Sequence, residues 1–268
     1  MSTALNHLTI PLAHTERFSL AAQQYEHHAR VQRHVAAHLW NWAHSLLQGD
    51  SSAFAPQACV DVGCGTGFLT DRMLKHYPQL PVHAVDMAPG MLAALQSKHP
   101  DNHQLHTHCL NGETLSMEHL WIPPHSLLMS SMCAQWFDDL EGAVRRWLSV
   151  SNTVAFSVLL DGSFQVWKAA HEETGQTCGL RALPTAAQLE QLIHKLVDEG
   201  LVARSALHEK EFLDHHTDGL SFARSLRFIG ADQPHATHQP VQLRKVIRAL
   251  GGACTLNYHL GFYCLERA

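Results

Sequence analysis

The spacing of apolar residues predicts a helical segment followed by an alternation of strands and helices. Between residues 18 and 47, apolar side chains recur at steps of three and four, which is the period of one or two amphipathic helices. Strands are then predicted for residues 58–62, 82–86, 105–110, 126–132 and 153–160, with intervening helices at 68–77, 91–99 and 140–148. This alternation predicts a parallel sheet with helices on both faces.

The last third of the chain continues with helices and two longer strands, separated by glycine and proline. Helices are predicted for residues 164–174, 185–199, 219–229 and 240–250, and strands for 203–213 and 255–265. We find no repeat or low-complexity linker that would divide the chain. The prediction is therefore one α/β domain over residues 1–268 with a mostly parallel seven-stranded sheet. This domain comprises a helical cap at 18–47, a core at 58–160 and a third part at 161–268, which adds helices after the fifth strand.

The composition argues against several classes of protein. A formal net charge of −5 and a pI near 6.5 do not suit a general nucleic-acid-binding protein, although they leave room for a local basic surface. The seven cysteines are scattered without a Cys-x-x-Cys pair, as expected for reduced cytosolic thiols. Residues 1–16 lack a basic start followed by an apolar run, and no window approaches the roughly 20 apolar residues of a membrane span, so we expect neither a secretory leader nor a membrane-spanning helix. We expect a cytoplasmic monomer.

The 23 histidines raise the question of a metal site. Adjacent pairs such as His27–His28 and His215–His216 point in different directions on a helix or strand, and there is no His-Glu-x-x-His spacing. We therefore predict no metal site and interpret most histidines as solvated surface residues.

A glycine-rich turn follows the first predicted strand and carries the clearest chemical signal. Three glycines in five positions allow a sharp turn and a close approach of the backbone to a ligand, and an aspartate ends the second strand where it can accept both hydroxyls of a ribose. A dinucleotide and S-adenosylmethionine both fit. The Gly-x-Gly-x-Gly form, with an aspartate that can hold an α-ammonium group, favours S-adenosylmethionine. The candidate residues are Asp61, Gly63, Cys64, Gly65, Gly67, Asp86 and Met87.

Residues 60–86 resemble the first two motifs of the class I methyltransferases, a family with a Rossmann-like seven-stranded fold. The resemblance implies that residues 58–160 bind S-adenosylmethionine and release S-adenosylhomocysteine. It also places Asn111 and Gly112 near the adenine, and Ser130 and Ser131 beside the methionine part of the cofactor.

A narrower resemblance, to the BioC-type malonyl-[acyl-carrier protein] O-methyltransferases of biotin synthesis, extends over nearly the whole chain. The runs that carry it are FSLAAQQYE at 18–26, AQW at 134–136, RSLRFIGA at 224–231 and NYHL at 257–260. The resemblance implies methyl transfer to the free carboxylate of a malonyl group on the phosphopantetheine arm of acyl carrier protein. Residues 161–268 would then bind substrate and carrier.

The implied reaction needs alignment more than acid–base catalysis. A malonyl carboxylate is already ionised at neutral pH, so in-line attack on the sulfonium methyl requires no general base. Tyr25 resembles the N-terminal tyrosine of the family and is the first candidate to cover the methyl and steer the carboxylate, although packing between cap and sheet would explain it equally well. Gln135 and Trp136 are further candidates, because they follow the fourth strand.

An acidic carrier protein calls for basic residues near the mouth of the pocket. The candidates are Arg145 and Arg146, Arg224 with Arg227, and Arg244–Lys245 with Arg248. For the last cluster we favour ordinary solvated charge, whereas Arg224 and Arg227 share a helix face and suit a carrier or malonate contact. His259, in the NYHL run, is a further candidate for substrate or carrier binding.

Three other functions remain open on the sequence. A methyltransferase of another small carboxylic or hydroxylated molecule would share the same cofactor half. A cofactor-binding regulatory protein without catalysis would also retain it. An NAD-dependent dehydrogenase fits less well, because neither its phosphate-accepting turn nor a proton donor is convincingly placed.

Overall fold

The computed structural model describes residues 12–49, 54–116, 118–120, 122–123, 125–231 and 242–268. Its strands are β1 (Ala58–Val62), β2 (Val82–Asp86), β3 (Leu105–Cys109), β4 (Ser126–Ser131), β5 (Thr153–Leu159), β6 (Val202–His216) and β7 (Cys254–Arg267). They form one seven-stranded sheet in the order β3-β2-β1-β4-β5-β7-β6. Strands β1 to β5 pair in parallel, whereas β7 is antiparallel to both of its neighbours.

The helices cover both faces of this sheet. They are α1 (Leu12–His28), α2 (Arg30–Gly49), α3 (Thr70–His76), α4 (Pro89–Lys98), α5 (Leu140–Val150), α6 (Gln165–Glu173), α7 (Ala186–Asp198), α8 (Gly219–Phe228) and α9 (Leu243–Leu250). Buried residues of α2, α3, α6, α8 and α9 share one apolar cluster with Cys59 of β1, while those of α5 and α7 share the other with Val60 and Val62. Side chains alternate between the faces of a strand, so consecutive β1 residues enter different cores.

The predicted elements are all present, and they differ from the structure mainly at their ends. The cap is two helices, α1 and α2, which are separated at Ala29. Strand β6 is longer than the predicted 203–213, since it pairs with β7 along almost its full length. The turn residues 50–53 and the first two residues of the helix predicted at 240–250 lie outside the described residues.

Two sequence expectations can be compared directly with the described residues. All seven cysteines are free thiols. Among the helices that the structure describes, none is both long enough and apolar enough to cross a membrane.

Helix α1 lies across the carboxyl end of the sheet and packs against α4 and α8. Its approach to α4 depends on Gly90, because a Cβ at that position would stand 2.5 Å from the Ser19 carbonyl oxygen. The Gly90 amide also donates to the Ser19 hydroxyl at 3.2 Å. Helix α1 therefore covers the edge at which β1, β2 and β4 end, which is the edge where open α/β sheets bind ligands.

Candidate active site

The turn after β1 presents its backbone to a cavity at the carboxyl edge of the sheet. Gly63 and Gly65 adopt left-handed conformations, with φ values of 69° and 53°, that side-chain-bearing residues adopt at a cost. The amides of Gly63 and Cys64 donate to the Val85 carbonyl at 2.8 and 3.0 Å. These bonds hold the turn against the end of β2, where the cavity wall consists of backbone rather than side chain.

Asp86 fixes the same turn from the end of β2. One carboxylate oxygen accepts the Gly65 amide and the other accepts the Ala88 amide, each at 2.8 Å. Burial raises the pKa of this carboxyl, and the amides of Ala88, Gly65 and Met87 oppose that shift. A carboxylate offers about four lone-pair positions, so two remain for a ligand diol.

The cofactor cavity brings together most of the residues predicted from the sequence. Asn111 accepts the Glu113 amide at 2.9 Å, and the Gly112 carbonyl accepts the Trp147 indole N–H at 2.8 Å, so this wall is held in place. Ser131, Tyr25 and Trp136 close other sides of it. The predicted residues that line the cavity are Tyr25, Gly63, Gly65, Asp86, Met87, Asn111, Gly112, Ser131 and Trp136.

Four predicted cofactor residues support the cavity without lining it. The Ser130 hydroxyl donates to the Val62 carbonyl at 2.8 Å and so ties β4 to β1. Cys64 is buried, and the amide of Gly67 closes the glycine turn by donating to the Cys64 carbonyl at 2.9 Å. Asp61 accepts both the amide and the hydroxyl of Thr70, at 2.9 and 2.6 Å. Its contact with a cofactor ammonium group stays a prediction.

Replacing Asp61 with asparagine should stabilise the protein increasingly as pH rises from about 4 to about 7. Burial raises the pKa of Asp61 from 3.8 to about 7, although Thr70 opposes the shift. In this window Asp61 of the unfolded chain has lost the proton that Asp61 of the native state retains. The contribution of Asp61 to the stability of the wild-type protein therefore falls as pH rises. Asparagine has no such proton to lose.

The measurement is urea unfolding of both proteins at several pH values. The difference in unfolding free energy between the variant and wild type should grow through the window. Asp101→Asn, at an exposed position, is the matched control and should show no such trend. An Asp61→Asn difference that is constant with pH would contradict the prediction.

A second cavity opens beside the first, and Tyr25 stands between them. Four residues line both cavities: Phe18, Tyr25, Met132 and Trp136. The Tyr25 ring stacks on Phe68 at 6.0 Å between centroids. Burial and the nearby Asp86 carboxylate raise the pKa of Tyr25, so its hydroxyl stays protonated and can donate a hydrogen bond. Phe18 meets Trp136 edge-on, at 5.7 Å between ring centroids.

The second cavity is mainly apolar, with a few polar groups. Gln135 lines it, donates its side-chain amide to the Met132 carbonyl at 2.6 Å, and leaves its buried Oε1 without a partner among the described residues. Gln32 and Arg181 also line the cavity and were missed by sequence reasoning. No pattern distinguishes Gln32 within a helix or Arg181 within the irregular segment between α6 and α7.

Two strained residues border the second cavity. Met132 and Phe164 are the only non-glycine residues with positive φ in the described part of the chain, at 53° and 60°. Both line the second cavity. Such conformations cost roughly 1–3 kcal/mol each and are found preferentially at functional sites. Of the two, only Met132 also lines the cofactor cavity and so lies at the junction between the cavities.

The predicted basic and histidine contacts fall into two groups. Arg224 and Arg227 are exposed on α8, beside the cavity-lining Leu226, and pair with no described carboxylate. The other three predicted residues, Arg145, Arg146 and His259, line neither cavity. Each pairs with carboxylates instead: Arg145 with Glu141 and Glu199, Arg146 with Asp139, and His259 with Glu209. For Arg145, Arg146 and His259, substrate or carrier binding stays a prediction.

The residues of the first cavity fit a nucleoside cofactor. The two unused acceptor positions of Asp86 suit a vicinal diol, and the close backbone of Gly63 and Gly65 leaves room beside it. Met87 and Phe137 provide apolar surface for a base. Within the described residues no group of three or more His, Cys, Asp or Glu side chains has the geometry to hold a metal ion.

Comparisons with known proteins agree with this geometry. A family model described as a methyltransferase domain matches residues 60–152. A malonyl-[acyl-carrier protein] O-methyltransferase of Magnetococcus marinus is 32% identical over 254 residues, covering 90% of this chain and 88% of that protein. The biotin biosynthesis bifunctional protein BioCD of Bordetella avium is 31% identical over 253 residues, covering 89% of this chain and 49% of that protein.

Among solved structures, the plantazolicin methyltransferase BamL, in complex with a triazolic desmethylPZN analog and SAH, superposes with a TM-score of 0.54. It is 14% identical, and the match covers 96% of this chain and 97% of that one. At this identity the likeness concerns the fold alone. It confirms the predicted class I methyltransferase architecture.

Proposed function

This chain belongs to the malonyl-[acyl-carrier protein] O-methyltransferase family, and on that basis we propose that it methylates the free carboxylate of a malonyl thioester carried by acyl carrier protein. The product is the malonyl methyl ester, which serves biotin synthesis. The cofactor is S-adenosylmethionine, and S-adenosylhomocysteine is released. The comparisons with known proteins confirm the family resemblance, the enzyme class and the cofactor that the sequence predicted.

The observation that carries the proposal is the wall shared by the two cavities. Phe18, Tyr25, Met132 and Trp136 line both the cofactor cavity and the apolar second cavity. A substrate in the second cavity therefore meets the cofactor only at this junction. The orphan Oε1 of Gln135 offers an acceptor to an N–H of the bound substrate, such as an amide of a phosphopantetheine arm.

The residues at this junction need to orient the carboxylate toward the methyl group and to exclude water from both. They do not need to transfer protons. S-adenosylmethionine, when bound, supplies an electrophilic methyl group. The Tyr25 hydroxyl, kept protonated by burial, donates to the attacking carboxylate, while Phe18, Met132 and Trp136 exclude water. Because the carboxylate is already ionised, no residue of the chain acts as a general base.

Helices α8 and α9 form the basic face that we propose for the carrier, and this proposal adds the α9 cluster, which the sequence alone favoured as ordinary solvated charge. They pack against each other and carry five exposed cations but no carboxylate between Gly219 and Phe228 or between Leu243 and Leu250. Leu226 of α8 lines the second cavity, so this face adjoins its mouth. The five cations are Arg224, Arg227, Arg244, Lys245 and Arg248. The cytoplasmic location, the monomeric state and the single-domain organisation stay predictions.

Mass spectrometry tests the proposed reaction directly. Malonyl-carrier incubated with the protein and S-adenosylmethionine should gain one methyl group, and mild ester hydrolysis should remove it. Saturable cofactor binding without methyl transfer to any malonyl thioester would refute the proposal and favour a non-catalytic cofactor-binding protein. Methylation of a different small acid alone would leave the reaction class and change the substrate.

Replacing Tyr25 with phenylalanine should lower kcat by about 10-fold, the effect of one hydrogen bond to a charged group. The aromatic ring and its stacking on Phe68 remain in this variant. S-adenosylhomocysteine affinity, measured by calorimetry, should therefore stay close to that of wild type. An unaltered turnover rate would remove the Tyr25 hydroxyl from the chemistry.

Replacing Arg227 with glutamate should raise the KM for malonyl-carrier by about 10-fold at low salt, because it puts a like charge opposite an acidic partner. The KM for a short malonyl thioester should change little, and added salt should reduce the carrier effect. Lys75→Glu makes the same charge change at an exposed position on α3 and serves as the control. Equal effects on both substrates would rule out a docking role.

A further inference from the structure

Arg181 is the one cationic side chain that lines the second cavity among the residues that the structure describes. Its neighbours there include Leu180, Leu183, Leu226 and Tyr258, so most of the surrounding surface is apolar. A carboxylate that leaves water for such a chamber loses hydration, and a cation must compensate for it. Arg181 is therefore the group in the cavity that matches an anionic ligand.

The guanidinium is held at the junction of the two cavities. Arg181 Nη2 donates to the Phe137 carbonyl at 3.0 Å and pairs with the Asp138 carboxylate. Phe137 lines the cofactor cavity, and the preceding Trp136 lines both. The carbonyl of Phe137 thus fixes the guanidinium on the side of the second cavity that adjoins the cofactor cavity.

The pair with Asp138 leaves Arg181 able to bind another carboxylate. The side chains of Arg181 and Asp138 are 30% and 49% exposed, and ion pairs at such positions contribute little stability. A guanidinium has five N–H donors, and neither Nε nor Nη1 of Arg181 bonds to a described residue. A second carboxylate can therefore accept a charge-assisted hydrogen bond from Nε or from Nη1 without displacing the Phe137 carbonyl.

We propose that Arg181 binds the free carboxylate of the malonyl thioester and holds it toward the cofactor cavity. This inference rests on the proposed function and names the residue that recognises the reacting group. One carboxylate oxygen attacks the methyl carbon, the carbon–sulfur bond breaks, and its electron pair stays on the sulfur. The product ester carries no charge, so it loses the ionic contact with Arg181.

Arg181 would also determine specificity. A neutral acyl thioester such as acetyl-carrier presents no carboxylate to the guanidinium, so its binding depends on the carrier, the arm and the apolar walls. The malonyl thioester gains the charge-assisted bond in addition. Removing the guanidinium should therefore weaken malonyl binding selectively.

The first test is Arg181→Gln. We expect the KM for malonyl-carrier to rise about 10- to 100-fold, in the range of a lost charge-assisted hydrogen bond. The inhibition constant of acetyl-carrier as a competitor and the affinity for S-adenosylhomocysteine should both stay within about twofold of wild type, the scatter expected of an unperturbed site.

Added guanidinium ion should restore part of the activity of Arg181→Ala. Arg204→Gln, which breaks an arginine–glutamate pair on β6 and β7, is the control and should have no such effect.

The second test separates substrate binding from a structural role of the Arg181–Asp138 pair. Asp138→Asn removes the competing carboxylate but leaves the guanidinium, so the KM for malonyl-carrier should stay the same or fall. If Asp138→Asn instead reproduces the rise seen in Arg181→Gln, the pair is structural and the inference is overturned. It is equally overturned if Arg181→Gln leaves the KM unchanged or weakens acetyl-carrier to the same extent.

These outcomes differ from a failure of the proposed function. If wild-type protein methylates no malonyl thioester, the reaction itself is wrong and no variant is needed to show it. If wild-type protein methylates malonyl-carrier and Arg181→Gln does so with the same KM, only the assignment of Arg181 fails.

Discussion

Replacing Asp86 with alanine should weaken the binding of S-adenosylhomocysteine by about 100-fold or more. The side chain accepts the amides of Gly65 and Ala88 and lines the cofactor cavity. Alanine removes the acceptor for the ribose and also leaves two backbone donors without their partner. Two hydrogen bonds to a charged group, at about 1.5–3 kcal/mol each, account for a loss of this size.

Calorimetry on the purified variants measures this effect. Asp86→Asn keeps the shape and one acceptor oxygen, so its affinity should fall between those of wild type and Asp86→Ala. Asp198→Asn, at an exposed position at the end of α7, is the control for loss of a negative charge. Wild-type affinity in Asp86→Ala would show that the cofactor is held elsewhere.

Replacing Gly63 with alanine should lower the free energy of unfolding by about 3 kcal/mol and abolish measurable cofactor binding. Its φ of 69° costs a side-chain-bearing residue roughly 1–2 kcal/mol. A Cβ would also stand 2.3 Å from the Cys133 Sγ and 2.4 Å from its Cβ. Overpacking of this kind typically costs about 1–3 kcal/mol.

Two companion variants separate the contributions to the Gly63 effect. Gly175→Ala has a similar φ of 62° but no atom within 4 Å of the new Cβ, so it measures the conformational cost alone. The double variant Gly63→Ala with Cys133→Gly relieves the contact and should recover part of the lost stability. Equal losses in Gly63→Ala and Gly175→Ala, measured by urea unfolding, would contradict the predicted contact.

The cofactor cavity can be predicted from sequence because its residues follow the strands. Gly63, Asp86, Asn111 and Ser131 each stand at or just beyond the end of a parallel strand, and parallel strands bring their carboxyl ends to one edge. Their proximity thus follows from the strand assignment. Asp61 shows the limit of this reasoning, since the direction of its side chain depends on Thr70 in the next helix.

The second cavity cannot be predicted in this way. Gln32 comes from α2, Arg181 from an irregular segment and Tyr258 from β7, and they meet only in the tertiary structure.

Charge clusters are equally ambiguous. Arg145 resembles a free cation in the sequence, yet Glu199, 54 residues further along the chain, pairs with it.

The order of strands at the edge of the sheet affects how the protein must fold during synthesis. Strand β7 follows β6 in the chain but lies between β5 and β6, and β6 pairs with no other described strand. Strand β6 therefore leaves the ribosome before its neighbour exists. An unpaired strand is prone to aggregation unless charges protect it. Strand β6 carries five charged side chains, which can keep it soluble until β7 is available to pair with it. They are Arg204, Glu209, Lys210, Glu211 and Asp214.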